Sequence, residues 1–368
     1  MKILLHNLNH DHGAHNLLLQ TVREWEIDVA IIADPYKAGV TQSWVIDRTG
    51  EAAIWPCGNL PFQDTANCNQ SGFVRAKLGG IHFYSCYAPP RLDKEQGRFT
   101  DLLDRLMKDV KEHSPAVVAG DFNAWAVEWG SRWNNNRGNE LLETMSYLDL
   151  ELLNTGSMPT YERDGRSSIV DLTFVNAGIV RNCVNWKVND IFNLNDHRVI
   201  TWEIGRKETM QEKPNAMGWK VKEFDPELFI TALDTGLISA RDAEEEAEKV
   251  MKKVAEACDA TMARKGTRNK HAPIYWWSEN IATIRKECIS ARRAVTRGRK
   301  KGRNVIELQN QYKRARSNLV KAIKVNKRQC WKELLEEVDT DPWGRPYKVV
   351  TKRLKSQATV SPSCFSRR

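Results

Sequence analysis

The sequence predicts a two-sheet α/β sandwich followed by an α-helical extension, and three observations carry that reading. Residues 1–205 alternate short apolar strands with amphipathic helices, joined by many connections of hairpin length. From residue 239 onward the chain runs in long, charged stretches poor in Gly and Pro, which suit helices. The charge divides the same way. Residues 1–205 hold 19 basic and 26 acidic side chains, a net charge of −7, whereas the remainder holds 37 and 21, a net charge of +16. The boundary falls near Gly205, since residues 206–218 are polar, lack periodicity and contain Pro214. The expected organisation is therefore an α/β domain over 1–205, a linker over 206–218, a basic helical segment over 219–356 and a tail over 357–368.

The elements of the first part follow from period. Residues 3–8 form an apolar strand, and Leu17, Leu18, Val22 and Trp25 then mark a helix face. Residues 28–33 make a second strand that stops at Pro35. Residues 52–55, 72–78 and 81–88 read as strands, with Gly79 and Gly80 supplying the turn between the last two. Leu102, Leu103, Leu106 and Val110 repeat at helical spacing, and residues 116–119 form a buried strand. Leu141, Leu142, Met145 and Leu148 mark another helix, and strands over 169–175, 183–188 and 198–204 close the domain. In the basic segment, helices are expected over 239–262, 278–297 and 305–338. Ser239 and Asp242 suit a helix start. Leu308, Tyr312, Leu319, Ile323, Trp331 and Leu335 suit a helix face, and the run R-G-R-K-K-G-R over 297–303 suits the tip of a helical hairpin.

Composition excludes several classes. No apolar run approaches the ~20 residues that span a bilayer, and the chain enters a core strand at Lys2 without a secretory leader. The eight cysteines are dispersed without a C-x-x-C pair, which argues against a zinc knuckle or a disulfide framework and for a reducing compartment. His10, Asp11, His12 and His15 lack a second ligand cluster and read as a solvated loop before a helix rather than a zinc site. Trp276 and Trp277 read as helix packing rather than base stacking.

Chemistry collects at strand ends: Asn7, Asp34, Asp121 with Asn123, and Asp196 with His197, joined by Tyr87 and Asp171. A turn after a buried strand would also favour Asp and Asn at 121 and 123, but Asp196 and His197 downstream weigh toward a site. Hard oxygen donors of this kind suit Mg²⁺, with Mn²⁺ as the alternative. A histidine beside a carboxylate suits proton transfer during phosphate-ester hydrolysis. Asp171 lies between Val170 and Leu172, where an unpaired carboxylate would be costly, so it requires a partner. The basic excess points to a polyanion, and it is densest at Arg292, Arg293, Arg297, Arg299, Lys300, Lys301 and Arg303, candidates for phosphate contact. The same run suits a nuclear localisation signal.

The motifs G-D-F-N at 120–123, S-x-x-D at 168–171 and N-D-H at 195–197 resemble the endonuclease/exonuclease/phosphatase superfamily. More narrowly, K-I-L-L-H-N-L-N at 2–9, D-V-A-I-I-A-D-P-Y at 28–36 and Y-A-P-P at 87–90 resemble the apurinic-endonuclease-like domain of insect non-LTR retrotransposons. W-W-S-E at 276–279, C-W-K-E-L at 330–334 and D-P-W-G-R-P-Y-K at 341–348 look like the segment before the reverse transcriptase, and no Y-x-D-D or F-x-D-D motif of the polymerase itself occurs. The resemblance implies a four-layered, deoxyribonuclease-like sandwich. It implies a Mg²⁺-dependent endonuclease that nicks target DNA in the nucleus and leaves a 3′-hydroxyl primer. DNA is the implied partner, with element RNA a further one and no membrane. The implied roles are Asn7, Asp34 and Asp196 at the metal, Tyr87 on the scissile phosphate, and Asp121 and Asn123 on the attacking water. Asp171 would orient His197, and Thr160 and Ser168 would contact substrate. An abasic-site repair endonuclease or a phosphatase with the same residues stays open, as does a catalytically inert nucleic-acid-binding remnant. The inert reading stays open because Asp34 stands where the family usually has Glu, one methylene longer.

Overall fold

The computed structural model describes residues 1–36, 44–58, 61–65, 70–90, 98–205, 224, 226–233, 242–262, 274–344 and 346–347. The linker, the tail, Ser239 and the Lys300 side chain lie outside them. The chain divides into two compact units, Met1–Arg206 with Pro273–Arg368, and Lys207–Ala272.

The first unit opens with β1 (Lys2–Asn7), α1 (His12–Glu24), β2 (Val29–Ala33), β3 (Val45–Ile46), β4 (Ala52–Pro56), β5 (Asp64–Thr65), β6 (Phe73–Leu78) and β7 (Ile81–Tyr87). There follow α2 (Arg98–Glu112), β8 (Ala116–Asp121), α3 (Asn136–Tyr147), β9 (Leu150–Leu152), β10 (Tyr161–Arg163), β11 (Arg166–Ser168) and β12 (Asp171–Asn176). The short α4 (Ala177–Val180), β13 (Cys183–Asn189) and β14 (Val199–Ile204) complete the domain. One six-stranded sheet has the order β13-β14-β1-β2-β4-β3 and the other β5-β6-β7-β8-β12-β9, with β10 and β11 forming a separate hairpin. The two-sheet expectation holds, and β1, β2, β4, β6, β7, β8, β12, β13 and β14 fall within two residues of the expected strands.

Alternation along each strand builds the layers. Ile3, Leu5, Val29 and Ile31 of one sheet meet Phe83, Val117 and Ala119 of the other in the central core. The opposite faces carry Leu4, Ala30 and Ile32 under α1, and Tyr84, Cys86, Ala116 and Val118 under α2 and α3. Because both faces of each central strand are covered, β2 reads as a continuous apolar run. Asp11 caps α1 by accepting from the Ala14 N–H at 2.8 Å, so the expected loop before the helix is a cap. His10 and His12 pack on the Tyr36 ring instead of converging on one point.

The helical part of the same unit is a hairpin of α7 (Glu279–Lys300) and α8 (Ile306–Thr340), closed by a tip in which Gly302 takes φ +63°. Ile281, Cys288, Leu319 and Ile323 of this hairpin, with Ile274 and Trp276 before it, pack on Leu17, Phe192 and Leu194 of the sandwich. Trp276 is therefore a packing residue, as its sequence context suggests. The expected helix face lies on α8, where Leu319 and Ile323 are buried while Trp331 and Leu335 are 58% and 51% exposed. At 35 residues α8 is ~52 Å long, against 22 residues in α7, so its far end runs past the partner helix. The second unit contains α5 (Pro226–Leu233) and α6 (Ala243–Thr261), the latter capped by Asp242, which accepts from the Glu245 N–H at 2.8 Å.

Candidate active site

Four strand ends and two loops bring the site together. β1 and β2 run parallel with Asn7 opposite Ala33, so Asn7 and Asp34 leave the same end of one sheet. β8 pairs in parallel with β7 and antiparallel with β12, which sets Asp121 opposite both Tyr87 and Asp171. The loop before β14 delivers His197, whose backbone bridges to Tyr161.

Asp121 is the hub. Its Oδ2 accepts from Asn7 Nδ2 at 2.8 Å and Asn123 Nδ2 at 3.1 Å, and its Oδ1 accepts from the Asn123 N–H at 2.9 Å. Asn123 takes a left-handed backbone, φ +46°, which turns the chain back so that both its N–H and its amide reach the carboxylate. Gly120 cannot be otherwise: a Cβ there would lie 1.9 Å from the Cys86 carbonyl oxygen. The glycine of G-D-F-N thus serves strand packing, while the Asp and Asn serve the site.

Asp171 finds the partner that its burial demands. Its Oδ2 lies 2.9 Å from His197 Nδ1, and His197 Nε2 faces Asp121 Oδ2 at 4.0 Å. All three are buried. Burial would lower the His197 imidazole, but Asp171 outweighs it and raises the group to about 9. Burial, followed by the charge of Asp171, raises Asp121 to about 7. A proton held at His197 Nδ1 by Asp171 leaves Nε2–H as a donor facing the site.

Tyr87 and Asp34 form the other wall, where the phenol favours the charged form of the carboxylate. Burial raises the Asp34 carboxyl, and burial with the neighbouring Asp34 and Asp121 charges raises the Tyr87 phenol. Asp34 also has a left-handed backbone, φ +45°.

The remaining sequence candidates are dispersed. Thr160 is fully buried, and its Oγ1 accepts from the Val170 and Asp171 N–H groups at 3.1 Å each, so its hydroxyl is spent bracing β12 from inside the fold. Ser168 ends β11, where its carbonyl accepts from the Thr160 N–H. Asp196 turns toward Arg163 of β10, 3.8 Å away, and adds its charge to those that raise His197. Arg292 and Arg293 both pair with Asp190. Arg297, Lys301 and Arg303 stay exposed, and the Arg299 guanidinium lies beside Gly165 at the β10–β11 turn.

Sequence reasoning missed two residues that shape the site. Asn193 Nδ2 donates to the His197 carbonyl at 2.5 Å and lies 2.8 Å from His6 Nε2. Asn195, noticed only as part of N-D-H, accepts from the Asp196 and His197 N–H groups and donates to the Asn7 carbonyl at 2.5 Å. An asparagine-rich loop just before the candidate histidine was the signal that could have found them.

The donor set fits a hard divalent cation. Asp121, Asp171 and His197 offer ligand atoms within 4.8 Å of one another, and Asp171 Oδ1 is buried without a hydrogen-bond partner among the described residues.

A family model described as endonuclease-reverse transcriptase matches residues 81–201. The chain is similar to a putative 115 kDa protein of a type-1 retrotransposable element of Drosophila melanogaster, 24% identical over 366 residues, covering 91% of this chain and 36% of that protein. It is similar also to a retrovirus-related Pol polyprotein of a type-1 element of Bradysia coprophila, 23% identical over 260 residues, covering 65% and 26%. The chain thus spans well under half the length of these curated relatives. Among solved structures, the endonuclease domain of TRAS1, a telomere-specific non-LTR retrotransposon, shares the fold. Its TM-score is 0.50 at 23% identity, over 56% of this chain and 99% of that one.

The two-sheet sandwich is the fold of that endonuclease domain, and residues 81–201 within it match the endonuclease-reverse transcriptase family model. In sequence and in fold the chain is similar to proteins of retrotransposable elements.

Proposed function

We propose that this chain is a Mg²⁺-dependent endonuclease that cuts one strand of DNA at a retroelement target and leaves a 3′-hydroxyl. The observation that carries the reading is the Asp171–His197–Asp121 arrangement: a histidine fixed by one buried carboxylate and facing a second across 4.0 Å. Asp121, oriented by Asn7 and Asn123, takes a proton from water as its oxygen adds to phosphorus. His197 Nε2–H donates to a non-bridging oxygen as charge builds there. The P–O3′ bond breaks, and the 3′ oxygen leaves as a hydroxyl after taking up a proton. Tyr87 would contact the scissile phosphate, and Asn123 would help hold the attacking water. Asp34 and Asn7, with Asp196 the outer candidate, would hold the metal, which supplies neutralisation of the phosphate charge.

Supercoiled plasmid gives the primary test. Nicked circles are expected with Mg²⁺ and none with EDTA. Equal nicking in both sinks the metal mechanism, and none in either favours a non-catalytic remnant. Supply of an abasic site separates the repair reading, since a retroelement nuclease is expected to nick intact plasmid as well.

Asp34→Glu tests the shortened acid. The added methylene is expected to raise nicking or lower the Mg²⁺ concentration needed for half-maximal rate, because Mg²⁺ tolerates little slack around ~2.1 Å. A slower variant with unchanged Mg²⁺ demand would place Asp34 away from the metal.

We further propose that Arg297, Arg299, Lys301 and Arg303 bind DNA phosphates beside the β10–β11 hairpin. Each phosphate no longer neutralised should reduce the slope of log affinity against log salt by about 0.9. Replacing Arg297, Lys301 and Arg303 together with Gln in the full chain is therefore expected to flatten the slope by about 2.7. An unchanged slope would leave this charge as a solvated face or a localisation signal.

A further inference from the structure

The loop that carries Asn193, Asn195, Asp196 and His197 is not held by the sandwich alone. Three of its backbone carbonyls accept hydrogen bonds from arginines of the helical hairpin. Arg292 of α7 donates to the Ile191 carbonyl at 3.3 Å, Arg285 of α7 donates through Nε to the Phe192 carbonyl at 3.0 Å, and Arg316 of α8 donates to the Leu194 carbonyl at 3.0 Å. Side chains fix the same segment. Phe192 and Leu194 are each 1% exposed, inserted among Trp276, Ile281, Cys288 and Leu319.

Arg285 ties the arrangement to α1. It is itself 8% exposed, and it also donates to Thr21 Oγ1 at 3.1 Å and pairs with Glu24 at 3.3 Å. Arg316 lies 3.7 Å from the α1 cap Asp11.

The loop needs such support. Leu194 takes φ +61°, a left-handed backbone that costs a branched-chain residue of this bulk energy and persists only where its surroundings impose it. The turn at Leu194 is what directs Asn193 inward to the His197 carbonyl and Asn195 outward to the Asn7 carbonyl. Gly13 of α1 leaves the room: a Cβ there would fall 2.6 Å from Leu194 Cδ1.

We propose that the helical hairpin positions the catalytic loop of the nuclease, with Arg285, Arg292 and Arg316 acting as positioning residues for His197. The hairpin is then a working part of the nuclease, so that whatever displaces these helices alters the reacting geometry. The activity half of this inference rests on the DNA-nicking reading above; the positioning half stands apart from it.

The test uses the full chain. Arg316 is 43% exposed at its side chain, so Arg316→Ala is expected to fold. It should raise amide hydrogen exchange across residues 190–197 while leaving β7, β8 and β12 protected. In plasmid nicking, kcat should fall about 10-fold or more with KM changed less than about 3-fold, since a misplacement of about 1 Å at a reacting group costs up to ~10²-fold. Arg316→Lys, which keeps one donor, should restore part of both. Arg292→Ala serves as the second variant with the same expected signature. If wild-type protein does not nick, the function reading fails and exchange alone decides the positioning. If both alanine variants leave exchange at 190–197 and kcat within about 2-fold of wild type, the positioning role is overturned.

Discussion

Replacing His197 with Ala is expected to cut plasmid nicking by about 10²–10⁴-fold while circular dichroism stays unchanged. The imidazole sits at the sheet rim, with Nδ1 held by Asp171 and Nε2 aimed at Asp121, so its loss removes a donor and leaves Asp171 without its partner, which lowers the melting temperature while the hydrophobic layers stay closed. Asp121→Ala should match it in size, because Asn7 and Asn123 would keep their places with no carboxylate between them. The two losses should not add in the double variant, since groups acting on one transition state behave as a unit. Near-wild-type nicking by His197→Ala, with its fold intact, would remove His197 from the mechanism.

The largest stability loss is expected from Gly120→Ala. A Cβ at this position would lie 1.9 Å from the Cys86 carbonyl oxygen, 2.6 Å from its carbon and 2.8 Å from the Cys86 nitrogen. All three atoms belong to the backbone of β7, directly across the ladder from β8. Ordinary overpacking costs ~1–3 kcal/mol because side chains can yield. Here a strand must move, and the residue beside it is Asp121. Thermal unfolding should therefore show a loss beyond that range or an insoluble product. A soluble Gly120→Ala with an unchanged melting temperature would mean that β7 and β8 separate more easily than their pairing indicates.

The sandwich was legible because its strands are buried on both faces. Apolar runs such as residues 29–33 and 116–119 leave no other placement, and the helix stripes at Leu17–Val22 and Leu102–Val110 follow from period alone. What escaped was short or polar: β3, β5 and β9, and above all the β10–β11 hairpin, whose three-residue strands are too brief to show a period.

The site divides the same way. Sequence by itself determined which residue types gather at strand ends, because Asn7, Asp34, Asp121 and His197 each follow or precede a strand that has nowhere else to go. It also required a partner for Asp171, since a lone carboxylate between two core residues would be too costly. Tertiary structure decided which of these groups meet. It set His197 between Asp171 and Asp121, turned Asp196 toward Arg163 and spent the Thr160 hydroxyl on β12. It also gave Arg292 to Asp190 and the Ile191 carbonyl, where charge density alone suggested phosphate. The reason is range. Local period and burial act over a few residues, whereas the 190–197 loop takes its shape from arginines about a hundred residues away, and only folding brings their guanidinium groups to its carbonyls.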